Sequence, residues 1–202
     1  MAQLDEISRH QRGVVTRRQA LAAGVSDREI RELVLTGQWQ RLLPGIYATF
    51  AGRPPPAAMR WAAILYSGSD AMLCHRSAAE EAGLAVPVPG VVHVLIPEQR
   101  RVRPNPVVAV HRSRHATARR HPHRRPPQTR LEDTVLDLAS TAADAKEALH
   151  WITTACTRHL TTPARIADAL ARRPRLTHRR EVIALLANAT NRSAALPHWP
   201  TP

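Results

Sequence analysis

The chain has 202 residues and a formal net charge of +13, and every one of its 29 basic residues except Lys146 is an arginine. That balance calls for an anionic partner, and guanidinium forks suit phosphate oxygens and guanine edges. Aromatic residues are only 3 % of the chain, which argues against single-strand readers that stack bases on an aromatic platform.

In chain order, a first helix is expected from about Leu4 to His10. Two capping boxes follow, Thr16-Arg17-Arg18-Gln19 and Ser26-Asp27-Arg28-Glu29. Each sets a hydroxyl three residues before a Gln or Glu that can return a bond to the cap's own amide. Helix two therefore starts at Arg17 and helix three at Asp27, with Ala22-Ala23-Gly24-Val25 as a glycine-stopped turn between them. Ile30, Leu33 and Val34 share one face of helix three, leaving Arg28, Arg31, Glu32 and Leu35 on or near the other. Gly37 ends it. Two short β-prone runs, Gln38 to Leu43 and Ile46 to Thr49, flank Pro44-Gly45, which suits a type II turn. Helix, helix, turn, helix and hairpin make a winged helix.

Arg53-Pro54-Pro55-Pro56 reads as a stiff linker. Beyond it an amphipathic helix from Ala57 to about Tyr66 stops at Gly68, and another from about Arg76 to Ala82 stops at Gly83. Val91 to Ile96 and Val107 to Val110 are β-branched runs expected to pair as strands around an arginine-rich loop, Gln99 to Asn105. From Gln99 to Arg130 there are ten arginines, four histidines and no acid. Like charge and proline oppose folding there, so part of that segment is expected to be a mobile loop.

Leu131 to Ala139 reads as a helix, Ala145 to Cys156 as another. Thr162-Pro163 caps a third, and Thr177 caps a fourth carrying Val182, Leu185 and Leu186. The fold class is α+β. Its divisions are a winged helix-turn-helix at 1–52, a second domain at 57–192 (α/β over 57–140, helical over 141–192), and a frayed tail at 193–202.

Together, the run from Val14 to Ser26, Trp39-Gln40-Arg41-Leu42, Pro44-Gly45-Ile46-Tyr47, Cys74 to Ala79, Val110-His111-Arg112-Ser113, Thr129-Arg130-Leu131 and Leu136 to Ala139 resemble AbiEi-type antitoxins, as actinobacterial members have them. The likeness spans roughly residues 10 to 190. It implies a DNA-binding transcriptional regulator that represses its own operon at inverted repeats in double-stranded DNA. It also implies the antitoxin of a type IV toxin–antitoxin pair. The toxin of such a pair is a nucleotidyltransferase, countered by the C-terminal domain without a stable complex. Many relatives add a domain resembling very-short-patch-repair endonucleases, and this chain is expected to be a member without it. Cys74 stands where the family pattern has serine, and Glu29 and Glu32 occupy a helix that is often more basic.

Helix three is thus the candidate recognition helix, with Ser26, Arg28 and Arg31 toward bases or phosphates. Arg17 and Arg18 open helix two, where backbone amides favour a phosphate, and Gln40 and Arg41 belong to the wing. A secondary basic surface is expected from Arg112, Arg114, Arg119, Arg120, Arg124 and Arg125. Arg172, Arg173, Arg175, Arg179 and Arg180 form a further cluster suited to a phosphate or an acidic partner. Two other readings stay open: a protein-binding module with the winged helix as scaffold, and a fragment of a nucleic-acid-processing enzyme.

No catalytic set is evident, since the only acid-x-Lys, Asp144-Ala145-Lys146, heads a helix. No cofactor is expected. His111 with His115, or His121 with His123, lacks the neighbours a metal site needs, and helical geometry should point Cys74 and His75 apart. Two cysteines make no disulfide framework and read as small apolar groups. The ~18 consecutive apolar residues of a membrane span are nowhere approached, and MAQLDEISRH is no signal peptide. A cytoplasmic protein without membrane contact is expected, its oligomeric state open.

Overall fold

Both capping boxes form as the sequence requires. A computed structural model describes residues 2–194 and contains α1 (Ala2–His10), β1 (Val14–Thr16), α2 (Arg17–Ala22), α3 (Asp27–Leu35), β2 (Gln40–Leu43) and β3 (Ile46–Ala48) in its first fifty residues. The Thr16 hydroxyl accepts from the Gln19 amide at 3.0 Å while the Gln19 side chain accepts from the Thr16 amide at 2.8 Å. Ser26 and Glu29 exchange the same pair of bonds at 3.2 and 2.7 Å. Gly45 takes φ +72°, the left-handed value a type II turn needs there.

Two strands, Val14–Thr16 and Met72–Leu73, have no counterpart in the expected elements. Val14–Thr16 pairs antiparallel with Ile46–Ala48, making a sheet in the order β1-β3-β2. Leu4, Val15, Ala20, Val25, Ile30 and Trp39 form the small core beneath these elements.

The triproline starts a helix. Pro56 is the first residue of α4 (Pro56–Ser67), where a missing N–H costs nothing. α4 packs on β1, β2 and β3 and also on a second sheet, so the chain's compact units do not divide at the prolines. One unit comprises residues 1–77 and 86–129, the other 78–85 and 130 onward.

The second sheet has the order β4-β5-β6, from β4 (Met72–Leu73), β5 (Val92–Pro97) and β6 (Val108–Ser113). β4 runs antiparallel to β5, and β5 parallel to β6. Between these strands lies α5 (His75–Glu81), and α6 (Ala116–Arg119) follows them.

Part of the arginine-rich segment is tied into the sheet, while residues 100–104 and 121–125 lie outside helix and strand. The Leu73 amide donates to Pro127 O at 2.8 Å, and the Thr129 amide donates to Leu73 O at 2.9 Å. Residues 126–129 are buried, because their backbone fills the edge of β4 that β5 leaves open. Arg120 bridges Thr129, and the His121 amide donates to Gln128 O at 2.8 Å.

The second unit holds α7 (Leu131–Thr141), α8 (Ala145–Thr157), α9 (Pro163–Ala171) and α10 (Arg179–Ala194). Val135, Leu136, Ile152, Ile166, Val182 and Leu186 are among its core residues. Asp144 and Thr162 cap α8 and α9. α10 starts two residues after Thr177, with His178 at φ +56° ahead of it, so no Thr177 cap forms. Of the expected tail, residues 193 and 194 complete α10, and 195–202 lie outside the described residues. The chain is of mixed α and β content with helix predominant, and no described helix is long and apolar enough to cross a membrane.

Candidate nucleic-acid interface

Packing of Ile30 into the N-terminal core turns the opposite face of α3 outward. Arg28 has a side chain 86 % exposed, and its Nε donates to Glu32 one turn on at 2.9 Å. Such an exposed i,i+4 pair is worth about 0.3–0.5 kcal/mol, so a phosphate or base edge can take Arg28 over. Arg31 leans back along the helix, its Nε donating to Asp27 O at 3.2 Å. Leu35 is exposed at the end of the same helix.

Other candidate residues have duties within the fold. Arg17 grips Asp27 through both its Nε and a terminal nitrogen, joining the start of α2 to the start of α3. This bond to Asp27 raises the Arg17 pKa further. The Ser26 hydroxyl is engaged in the cap of α3, donating to Glu29 Oε2 at 2.6 Å. The Ser26 hydroxyl and amide together hold the Glu29 carboxyl below its ordinary pKa. Gln40 donates its side-chain amide to Phe50 O and Gly52 O at 2.9 and 2.7 Å, which secures the wing's base and takes that amide from an approaching backbone. Arg18 and Arg41 are exposed.

The six arginines of the secondary surface separate into two groups. Arg112, Arg114, Arg124 and Arg125 are exposed, while Arg119 and Arg120 are half-buried. Arg112 lines a shallow cavity with Arg100, Arg101 and Asn105, and Arg100 approaches Asp70 at 3.6 Å.

The arginine cluster near α10 is partly structural. Arg173 lies 3.5 Å from Asp133 and 2.7 Å from Asp137, and Arg179 donates to the carbonyls of Leu170 and Arg173. Neither is turned toward a ligand. The partners of Arg173 are buried acids of α7, which apolar periodicity alone does not reveal.

Helical geometry should separate Cys74 from His75, and the structure corrects this. Cys74 precedes α5 instead of lying within it, and His75 takes φ +47°, so the adjacent side chains converge with Sγ 3.2 Å from His75 Nδ1. His111 stacks on His75 with ring centroids 3.9 Å apart, and its Nε2 lies 3.0 Å from His93 Nδ1. The two histidine pairs set aside as metal sites from the sequence have other surroundings: His115 is joined to Arg114 at 3.0 Å, and the His121 and His123 rings meet edge to face at 6.4 Å. Sheet register makes the true cluster. Leu73 opposes Val94 and His93 opposes Ala109, so Cys74, His93 and His111 fall on one face, Ala109 and His111 being two residues apart.

Residues 1–49 match a protein family described as transcriptional regulator, AbiEi antitoxin, the family that the sequence motifs resemble. The fold is similar to the crystal structure of the RV2827C protein from Mycobacterium tuberculosis. The TM-score is 0.57 at 21 % identity, over 92 % of this chain and 75 % of that one. No curated protein matches the chain.

Proposed function

We propose, from the family match over residues 1–49, that the chain is a non-enzymatic, DNA-binding transcriptional regulator acting as the antitoxin of a type IV pair in the cytoplasm. In this reading residues 1–52 are a winged helix-turn-helix that represses its own operon at inverted repeats. Residues 57–192 are then the antitoxin domain, opposing a nucleotidyltransferase toxin without a stable complex. One observation carries the DNA-binding step: two complete capping boxes fix α2 and α3, and α3 presents Arg28 and Arg31 on its exposed face.

Docking of a recognition helix places its N-terminal turns against base edges, with phosphates contacted alongside. Arg28 and Arg31 occupy those turns. Arg18 and Arg41 are the remaining exposed cations suited to the flanking backbone, while Arg17, Ser26 and Gln40 act by holding α2, α3 and the wing in place. The exposed arginines at 112, 114, 124 and 125 supply a sequence-independent contact.

The test is a gel-shift comparison on duplex from upstream of the gene. Arg28→Ala with Arg31→Ala should lower operator preference over random duplex by roughly 10- to 100-fold for each base-edge interaction removed. Unchanged preference removes α3 from the recognition role. Binding of neither duplex by the wild type favours the protein-binding reading.

A further inference from the structure

We propose that Cys74, His75 and His111 form a binding site for a borderline-soft divalent cation of the Zn²⁺ class, with His93 as a positioning residue. No part of this rests on the DNA-binding reading, because all four residues lie outside the matched residues 1–49.

The donor atoms of Cys74, His75 and His111 all lie within 4.8 Å of one another. Ordinary Zn–S and Zn–N lengths in a tetrahedral site put neighbouring donors about 3.3–3.6 Å apart. The Sγ to Nδ1 distance of 3.2 Å lies just below that spacing, and a rotation of His111 out of its stack on His75 would complete the set. One thiolate and two imidazoles suit Zn²⁺ and its cobalt substitute, where Mg²⁺ and Ca²⁺ would require oxygen donors.

The surroundings favour such a site. Cys74 is fully buried, in an apolar cluster with Met72, Leu95 and Ala116, an environment that excludes competing water. His111 and His93 are half-buried, which leaves the imidazole side open to an entering ion. His93 bonds His111 at 3.0 Å, the kind of contact that fixes the ring orientation of a ligating histidine. Three protein donors leave a fourth position to water. Nothing in local sequence announces the set, since its members come from a strand exit, a left-handed helix start and two parallel strands.

The experiment uses the full chain, freed of metal by chelation and titrated with Co²⁺. One equivalent should bind, giving a thiolate-to-cobalt charge-transfer band and the intense visible bands of four-coordinate cobalt, both bleached by Zn²⁺. Cys74→Ser should abolish the charge-transfer band, whereas Cys156→Ser should leave it intact. His111→Ala should weaken binding at least 10-fold. His93→Ala should weaken it about 10- to 100-fold with the band retained, the usual size of an outer-sphere contact. Absence of saturable 1:1 binding overturns the proposal, as does a band that survives Cys74→Ser or vanishes with Cys156→Ser. Should Cys74→Ser fail to fold by circular dichroism, unchanged cobalt affinity in the half-buried His111→Ala variant overturns it equally.

Discussion

Arg28 on α3 and Arg173 after α9 carry the same guanidinium and end in opposite circumstances. Arg28 is 86 % exposed beside one solvated glutamate. Arg173 is 16 % exposed between two carboxylates that are themselves 7 % exposed. Net charge counts the two alike. An arginine becomes available to a polyanion only where its intramolecular partner is weak enough to be displaced, and that strength depends on desolvation. The arginines of residues 99–130 have no acid within that stretch of sequence, and Arg100 reaches outside it to Asp70 at 3.6 Å.

The contrast is broken most severely at Arg173. Arg173→Ala leaves Asp133 and Asp137 buried without the guanidinium, and should cost about 3 kcal/mol, the low end for such pairs because Arg173 still touches water. Denaturant unfolding should reveal the destabilisation, while the neighbouring Arg172→Ala stays within about 0.5 kcal/mol. Equal effects would mean the ion pairs contribute no more than surface contacts.

The α3 pair should behave in the reverse way. Arg28→Ala with Arg31→Ala should leave stability within about 0.5 kcal/mol while removing operator preference in the gel shift. A large stability loss would instead make these residues part of the scaffold.

Arg124→Ala with Arg125→Ala sharpens the distinction between specific and general binding. Affinity for operator and random duplex should fall together, and the log–log salt slope should shrink by about 0.9 for each phosphate no longer neutralised. A loss confined to the operator would place these arginines at base edges.

The smallest effect is expected at the cap of α3. The folded Glu29 carboxyl is depressed by its bonds from Ser26, so its contribution is full above the unfolded value of about 4.3 and is lost as pH falls through the folded one. Melting curves of wild type and Glu29→Ala should therefore differ at neutral pH and converge in acid. A gap independent of pH would separate the cap from the carboxylate's charge.

Much of the N-terminal fold is legible in the sequence because its signals are local. Thr16 with Gln19, Ser26 with Glu29, and Pro44 with Gly45 each act within a few residues. Even there β1 is not legible, as three residues from Val14 to Thr16 become a strand only when Ile46–Ala48 comes alongside. Residues 126–129 are not legible for the same reason, their place being set by the edge of Leu73. The candidate recognition arginines follow from helix phase, but the engagements of Arg17 with Asp27 and Gln40 with Phe50 span ten residues each. Helix phase alone does not report them.

Sequence by itself determined where most helices begin and which face of α3 is apolar, because caps and periodicity act over three or four residues of chain. Tertiary structure decided which arginines are held and which remain open, since that depends on partners brought in from distant elements. It also decided that Cys74, His75, His93 and His111 meet. Strand register and a left-handed residue at position 75 set that juxtaposition, and both are fixed only when the sheet assembles.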